Sequence, residues 1–402
     1  RAAKAKKSSA LPVIIWALVA AYAGYLQTRY GQFSDIRGFY GMRFMDGQHH
    51  WPYDSYTPAG ASGPLQPIEY PAITGVAIWL LTFITPASGI PLLNYFGINA
   101  FIQSLFFAGT GYYIKKLTNN STAYLFVLAP ASFMALNLNW DMWAVFPMVA
   151  SIYYFENEKK NISAVLLGIA IAAKFFPIVL LLPIGIYFLK DKQLKQGLKY
   201  LSVVAATWLV FNLPVMIVSF DGWRYFYTFS FNRGLGDGSI YSILEKLGLG
   251  QVYSNPLYYA LNISLFGSLI LLLIKSKKNL SLAQTAFFAM FCFTYFGKQY
   301  SMQYVLWLAP LAVVMVASLT KKNAQRGMYL YLAWQSLEIL FRIAYFQNWS
   351  TNVSASRGIT ILHPVSDIFY GTISISRYLI LIIFATLALI STYREVRNDV
   401  RS

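Results

Sequence analysis

Residues 10–41 read ALPVIIWALVAAYAGYLQTRYGQFSDIRGFYG, an apolar stretch followed by a segment that carries both acid and base. No charged residue lies between Leu11 and Leu26, and a bilayer crossing needs roughly 20 mostly apolar residues. The basic run at residues 1–7 precedes this apolar stretch. We therefore interpret the apolar stretch as an uncleaved signal anchor that crosses the membrane from the cytoplasm to the outside. Asp35 and Arg37 are then expected where the chain leaves the membrane.

The rest of the chain repeats this apolar character. Hydrophobic residues make up 57% of the 402 residues and charged residues only 12%, and the mean hydropathy is +0.49. Further charge-free stretches are found at residues 164–173, 178–189, 201–219, 261–274 and 378–392. A soluble domain cannot bury so many apolar segments, so the sequence predicts an all-α polytopic membrane protein. No linker or repeat divides it, which predicts one integral membrane domain over residues 1–402.

The net charge of +17 is explained by basic residues that orient the chain in the membrane, and not by nucleic-acid binding. Most Lys and Arg residues fall in short runs between apolar stretches or near the ends of the chain, the pattern of cytoplasmic loops facing anionic lipid. These runs are residues 1–7, 115–116, 159–160, 190–199, 275–278, 321–326 and 394–401. Membrane lipids are therefore expected partners and nucleic acid is not. The single cysteine, Cys292, excludes an intrachain disulfide and a thiolate metal cluster.

Placing every basic run in the cytoplasm predicts about 12 transmembrane helices with both termini cytoplasmic. The predicted spans are residues 10–29, 93–114, 120–137, 142–155, 161–173, 175–189, 199–219, 256–274, 280–297, 301–319, 327–346 and 371–393. Residues 70–85 are predicted to stay at the outer interface, because a further crossing there would put Lys115 on the wrong side. The loops at residues 30–92, with its interfacial helices, and 220–255 are then external, and we expect them to form the active-site face.

The polar residues outside the basic runs fall mainly on this outer side. A transporter would concentrate ionisable groups near the bilayer midplane, and here the spans are largely uncharged. The exception is Glu338 with Arg342, whose i, i+4 spacing predicts a structural ion pair on one helix face. An enzyme acting at the outer face is therefore favoured, with a flippase or transporter of a lipid-linked sugar, or a membrane scaffold, as alternatives.

Asp35 has two interpretations from its surroundings alone. A partly desolvated carboxylate at the interface can act as a general base towards a hydroxyl group. It can equally pair with Arg37 or cap a short interfacial helix. The loop that follows is rich in Tyr, Trp and Gly, a composition suited to stacking on a sugar ring, and this favours the catalytic interpretation.

Six segments carry a resemblance to a known family. They are SDIRGFYG (34–41), IEYPAITG (68–75), LNWDMWAVF (138–146), AAKFFPIVLLLP (172–183), FSFNRGLGDGSIY (229–241) and KQYSMQYVLWLAPL (298–311). With them the chain resembles the GT-C superfamily of integral membrane glycosyltransferases. It is most similar to glycosyltransferase family 87, polyprenyl-phosphate-mannose-dependent mannosyltransferases such as the phosphatidylinositol mannoside mannosyltransferases of actinobacteria.

The resemblance implies a function and a set of roles. It implies transfer of a sugar, mannose by analogy, from a polyprenyl-phosphate donor lipid to a glycolipid or lipoglycan hydroxyl, with inversion and with no metal or other cofactor. It places the site on the extracytoplasmic face of a bacterial plasma membrane, with Asp35 as the general base. The implied donor-phosphate-binding residues are Lys174, Arg233 and His363. The implied sugar- or acceptor-binding residues are Arg37, Tyr40, His49, Glu69, Asn139, Asp141, Gln303 and Tyr304.

Several of these residues also have simpler interpretations. Lys174 can extend from a helix end towards the headgroups, and Arg233 can pair with Asp237. Asn139 and Asp141 can satisfy a helix end, Glu69 can orient its loop, and Gln303 and Tyr304 can pack at a helix start. His49, His50 and Asp46 have the composition of a metal site, but adjacent histidines point in different directions on a helix or strand, so we expect no metal there.

Overall fold

The computed structural model describes residues 9–31, 33–276, 280–356 and 364–398. These residues form helices and connecting loops with no β-strand among them, apart from an isolated bridge between Tyr56 and Leu65. The chain divides into two compact units. The first comprises Arg1–Leu128 and Phe133–Arg233, and the second comprises Ala129–Ser132 and Gly234–Ser402. That the whole chain works as one domain remains a prediction.

The first unit contains the first loop and most of the candidate site residues. Its α-helices are α1 (Leu11–Gly31), α2 (Asp35–Arg43), α3 (Ala72–Phe83), α4 (Pro91–Thr118), α5 (Tyr124–Val127), α6 (Pro130–Ala135, shared with the second unit), α7 (Met142–Glu156), α8 (Lys160–Ala173), α9 (Leu181–Lys190), α10 (Leu194–Val218) and α11 (Phe220–Asn232). An aromatic core joins α2, α3 and α4, and its buried members include Tyr40, Tyr53, Tyr70, Tyr95 and Trp140. This core supports the loops that carry the charged residues.

The second unit is built from the later helices. They are α12 (Ile240–Lys246), α13 (Asn255–Lys275), α14 (Leu282–Tyr295), α15 (Val305–Ser318), α16 (Lys321–Ser356) and α17 (Asp367–Asn398). Serine caps explain where three of them begin. The Ser239 and Ser254 side chains accept hydrogen bonds from Ser242 N–H and Leu257 N–H. Ser281 and Gln284 form a reciprocal capping box at α14.

Five helices of the described residues are long and apolar enough to cross a membrane. They are Leu11–Gly31, Pro91–Thr118, Leu194–Val218, Asn255–Lys275 and the Asp367–Tyr393 part of α17. The apolar side chains of α10 and α13 are mostly exposed, as expected for surfaces that face lipid. The prediction of an all-helical, multi-pass membrane protein is confirmed. The count of about 12 spans, the sidedness of the loops and the location of the termini remain predictions.

Three predicted spans are not single α-helices. In 120–137 a break separates α5 from α6, which begins at Pro130, because proline lacks the N–H that would continue α5. The segment 175–189 begins as a 3₁₀-helix, Phe176–Leu180, that contains Pro177, and 301–319 begins with the 3₁₀-helix Met302–Tyr304. In contrast, α16 extends well beyond the predicted 327–346.

The segment predicted to stay at the outer interface is also short. Helix α3 has 12 residues and a length of about 18 Å, against roughly 30 Å for the hydrocarbon core of a bilayer. This length is compatible with a helix that does not cross by itself, and the interfacial position of residues 70–85 remains a prediction.

Glu338 has a different ion-pair partner from the one that its spacing predicts. Its Oε2 lies 3.4 Å from Nη1 of Arg377 on α17, and its Oε1 accepts hydrogen bonds from Tyr300 Oη (3.0 Å) and Trp334 Nε1 (2.8 Å). Both charged side chains are almost completely buried. The pair joins α16 to α17 in the second unit, and a structural role for Glu338 stays a prediction.

Candidate active site

Asp35 is the first residue of α2 and is partly buried. Its backbone N–H donates to the Leu138 carbonyl at 2.8 Å. The hydroxyl of Ser34, which is 2% exposed, donates to the Asn137 carbonyl at 2.6 Å. The start of α2 is therefore bonded to residues 136–141, which we call the 136–141 turn.

The same turn presents Asp141 at the beginning of α7. Asp141 has no exposed surface, and its backbone N–H donates to the Asn139 side-chain oxygen at 3.1 Å. Asn139 therefore satisfies a backbone group at the helix end, as one of its two interpretations suggests. The Asp141 carboxylate is left to interact with a cation.

That cation is Lys174, which directly follows the last residue of α8. Its Nζ lies 2.7 Å from Oδ1 of Asp141 and 4.4 Å from the centre of the Tyr70 ring. The end of α8 is held in turn by Thr74 of α3, whose hydroxyl donates to the Ala173 carbonyl at 2.7 Å. Lys174 is thus fixed between a buried carboxylate and an aromatic face, instead of extending freely towards the headgroups.

Asp35 lies in the electrostatic field of this pair. The pKa of the Asp35 carboxyl is raised to about 6, mainly by burial and also by the Asp141 and Glu69 carboxylates, while Lys174 and Arg233 oppose the rise. Burial also raises the pKa of Glu69, and the same two cations oppose that rise. Charged residues from five places in the first unit therefore act on one another at one site.

Tyr70 lies within this group of charges. It is 6% exposed, its ring packs edge-on against Trp140 and Phe39, and its carbonyl accepts a hydrogen bond from Tyr53 Oη at 3.1 Å. Burial and the neighbouring carboxylates raise the pKa of its hydroxyl, so Tyr70 stays neutral. Its position directly after Glu69 was the signal in the sequence that could have identified it.

Three predicted sugar- or acceptor-binding residues make other contacts. Arg37 donates to the Arg29 carbonyl at 3.2 Å and lies over the Phe96 ring. Tyr40 is buried, with its ring 4.7 Å from that of Tyr95, and the Nδ1 of His49 lies 2.7 Å from the Thr82 hydroxyl. These contacts favour the interpretation that the three side chains pack and orient the first loop.

His49 and His50 contact different residues, as their adjacent positions predict. His50 Nε2 lies 2.7 Å from Oδ2 of Asp46, and its ring stacks on Tyr56, whereas the His49 ring stacks on Phe83. Across residues 9–31, 33–276, 280–356 and 364–398, no group of three or more His, Cys, Asp and Glu side chains is placed to hold a metal ion.

The remaining predicted site residues belong to the second unit. Gln303 and Tyr304 lie in the 3₁₀-helix Met302–Tyr304, where the Tyr304 ring stacks on Trp307 with 3.6 Å between ring centres. His363 lies outside the described residues.

The assembled group can carry out proton transfer at neutral pH. A general base works best when its pKa is close to the operating pH, and a carboxyl with a pKa near 6 is largely ionised at pH 7 yet basic enough to accept a proton. Arg233, the exposed residue after α11, adds a cation that can reach a ligand. The site therefore combines a base with anion-binding capacity.

The fold has a counterpart among solved structures. It matches the crystal structure of ArnT from Cupriavidus metallidurans bound to undecaprenyl phosphate, with a TM-score of 0.51 and 14% sequence identity. The match covers 97% of this chain and 73% of ArnT. At this level of identity the likeness concerns the fold alone. This likeness of fold agrees with the GT-C fold that the resemblance implies.

The sequence comparisons define the family. The model of glycosyltransferase family 87 matches residues 64–296, more than half of the chain, and the chain belongs to this family. GPI mannosyltransferase 1 of Kluyveromyces lactis is 25% identical over 233 residues. That alignment covers 52% of this chain and 58% of the yeast protein, so the chain spans less than two thirds of the length of this relative.

Proposed function

We propose that this protein transfers a sugar, mannose by analogy with its family, from a polyprenyl-phosphate donor to a hydroxyl of a glycolipid or lipoglycan at the outer face of the membrane. The observation that carries the proposal is the Asp35 carboxyl, partly buried beside the Lys174–Asp141 ion pair and with a pKa of about 6. Membership of family 87 and the mannosyltransferase relative support the reaction class and the choice of sugar.

In the proposed reaction Asp35 accepts the proton of the acceptor hydroxyl as its oxygen attacks the anomeric carbon. The bond between that carbon and the phosphate oxygen breaks, and the polyprenyl phosphate departs with the electron pair. Attack opposite the leaving group inverts the anomeric centre. A phosphate leaving group needs little protonation, so one carboxylate is sufficient for the displacement.

Lys174 and Arg233 are proposed to stabilise the negative charge on the departing phosphate. Both cations act electrostatically on Asp35 and Glu69, and this supports the proposal. Because Asp141 already compensates Lys174, we propose Arg233 as the cation that makes the more direct contact with phosphate. His363 remains a further proposed phosphate contact.

The proposal is tested by transfer of radiolabelled mannose from polyprenyl-phosphate-mannose to host membrane lipids, with purified protein and EDTA present. Wild type should label a lipid, and Asp35→Asn should lower turnover by about 10²–10⁴-fold because the base is lost. Asp221→Asn is the matched control. Asp221 forms an exposed pair with Arg224, and such surface pairs contribute little, so this variant should keep wild-type activity.

The outcomes separate the alternatives. Labelling by wild type and Asp221→Asn but not by Asp35→Asn supports the proposal, and the labelled product identifies the acceptor class. Equal labelling by Asp35→Asn would reject its role as base. If no protein labels any lipid, the sugar or acceptor is wrong or the protein moves a lipid-linked sugar across the membrane, and a flipping assay distinguishes these two cases.

A further inference from the structure

Two amide side chains of α4 form hydrogen bonds with the 136–141 turn. The Gln103 Nε2 group donates to two carbonyls of the turn, those of Leu136 (2.8 Å) and Asn139. One turn of helix earlier, Asn99 Oδ1 accepts a hydrogen bond from Trp140 Nε1 at 2.7 Å. Burying an amide costs free energy unless it is hydrogen-bonded, and both Asn99 and Gln103 have no exposed surface.

The same turn is also hydrogen-bonded to residues of the candidate site. The Asn137 and Leu138 carbonyls accept hydrogen bonds from the Ser34 hydroxyl and the Asp35 N–H. The Asn139 side chain accepts the N–H of Asp141. One short segment is thus hydrogen-bonded both to α4 and to the backbone or side chains at Ser34, Asp35 and Asp141.

We infer that Gln103 is a positioning residue for the reaction, acting through the 136–141 turn to hold Asp35 in register with the Lys174–Asp141 pair. This inference rests on the proposed function. Gln103 touches neither the base nor the ion pair directly, and its contribution is the geometry of the backbone between them.

A small error in this geometry would alter catalysis for two reasons. A misplacement of about 1 Å at a reacting group can lower the rate by about 10²-fold. The strength of the fields that act on Asp35 also depends on distance. The charged and titratable groups that surround it are Lys174, Asp141, Glu69, Arg233 and Tyr70. A turn that moves away from α4 would change all these separations together.

The first test replaces Gln103 with Met, which has similar length and no hydrogen-bonding amide. We expect Gln103→Met to lower kcat by about 10- to 100-fold with little change in KM for the donor, because alignment is lost and donor contacts are kept. The pH at which kcat/KM reaches half its maximum should also move away from the wild-type value. Tyr200→Phe is the matched control, since it removes one buried hydrogen bond to Ser163 in the same unit.

A second readout does not depend on turnover. Hydrogen exchange measured by mass spectrometry should become faster in residues 33–43 as well as 136–141 of Gln103→Met, and should be unchanged there in Tyr200→Phe. Ser34→Ala, a milder change, removes the hydrogen bond from the Ser34 hydroxyl to the Asn137 carbonyl of the turn. It should accelerate exchange in the same peptides and displace the pH profile in the same direction. This variant preserves the test if Gln103→Met fails to fold.

Two results would overturn the inference. One is unchanged exchange in residues 33–43 when either Gln103 or Ser34 is substituted. The other is faster exchange with a normal kcat and pH profile, which would make the contact purely structural. Failure of the proposed function is recognised separately, because wild type would then be inactive while exchange still reports whether α4 holds the turn.

Discussion

The Nζ of Lys174 lies 2.7 Å from Oδ1 of Asp141, a carboxylate with no exposed surface. Charges this deeply buried are stable only with a partner, because the desolvation of each ion must be offset by its counterion. The pair therefore fixes the break after α8 to the start of α7. It also delivers a positive charge next to Asp35, so that one interaction serves both the fold and the site.

Removing Lys174 should destabilise the protein and inactivate it. Lys174→Met leaves the Asp141 carboxylate buried without its partner, and breaking such a pair costs about 3–5 kcal/mol. Thermal unfolding of the purified protein in detergent measures this loss. The double variant Lys174→Met/Asp141→Asn removes both charges and should recover much of the stability without recovering mannose transfer. A double variant as unstable as the single one would mean that the ion pair is not the stabilising element.

The rate of transfer should depend on the ionisation of Asp35. Because burial raises the pKa of this carboxyl to about 6, kcat/KM should rise with pH up to about 6 and then level off. Glu69→Gln removes a neighbouring negative charge that raises this pKa, so the midpoint should move to lower pH. The measurement is kcat/KM between pH 4.5 and 8 for both proteins. A flat profile, or a midpoint that moves upward in Glu69→Gln, would contradict the role of Asp35 as base.

The same burial should make the ionised Asp35 carboxylate unfavourable for the stability of the fold. Its pKa is near 3.8 in the unfolded chain and about 6 in the folded protein, so ionisation disfavours the folded state. The penalty is absent below pH 4, grows between pH 4 and 6, and reaches at most about 3 kcal/mol above that range. Asp35→Asn should therefore melt at a higher temperature than wild type at pH 7.5 and show little difference at pH 4. A lower melting temperature at pH 7.5 would show that the ionised carboxylate stabilises the fold.

Much of the site could be predicted because its residues stand out against an apolar background. Asp35, Glu69, Asp141, Lys174 and Arg233 are charged residues beside long uncharged stretches, and the structure brings their electrostatic fields together. Their roles follow from the family resemblance and stay proposals. The helical, multi-pass class was equally clear, because hydropathy directly reflects the requirement to bury backbone polar groups in lipid.

The contacts that hold the site in place could not be predicted. The pairing of Lys174 with Asp141 depends on how α7 and α8 pack, and no spacing in the sequence encodes it. Gln103 looks like an ordinary polar residue in a membrane span until its two carbonyl partners are known. The same limit explains why spacing predicted Arg342 as the partner of Glu338, whereas tertiary packing supplies Arg377 from another helix.

Tyr70 should contribute mainly through its aromatic ring. The ring lies beneath the Lys174 ammonium at 4.4 Å, a geometry that stabilises a cation over the face of an aromatic group. Tyr70→Phe keeps this face and should retain activity within about threefold, whereas Tyr70→Leu removes it and should lower kcat/KM by about tenfold or more. Transfer assays on both variants, normalised to folded protein, make the comparison. Equal losses in the two variants would instead assign the effect to the hydroxyl.

The buried Glu338–Arg377 pair in the second unit should stabilise the folded protein. Arg377 also donates to the Gly238 carbonyl at 2.9 Å and lies with its guanidinium 3.6 Å from the centre of the Phe341 ring. Either Arg377→Met or Glu338→Gln leaves the other side chain without its charge partner, and each should lower stability by about 3–5 kcal/mol. Thermal unfolding of the two variants and of Glu338→Gln/Arg377→Met makes the test.

The double variant is the decisive member of that set. Removing both charges leaves no buried ion without its partner, so Glu338→Gln/Arg377→Met should unfold at a higher temperature than either single variant. Tyr378 Oη also donates to the Gly238 carbonyl, at 3.0 Å. This carbonyl therefore keeps a hydrogen-bond donor when Arg377 is replaced. If the losses in the two single variants simply add in the double variant, the two side chains stabilise the protein independently, and the 3.4 Å contact between them contributes nothing of its own.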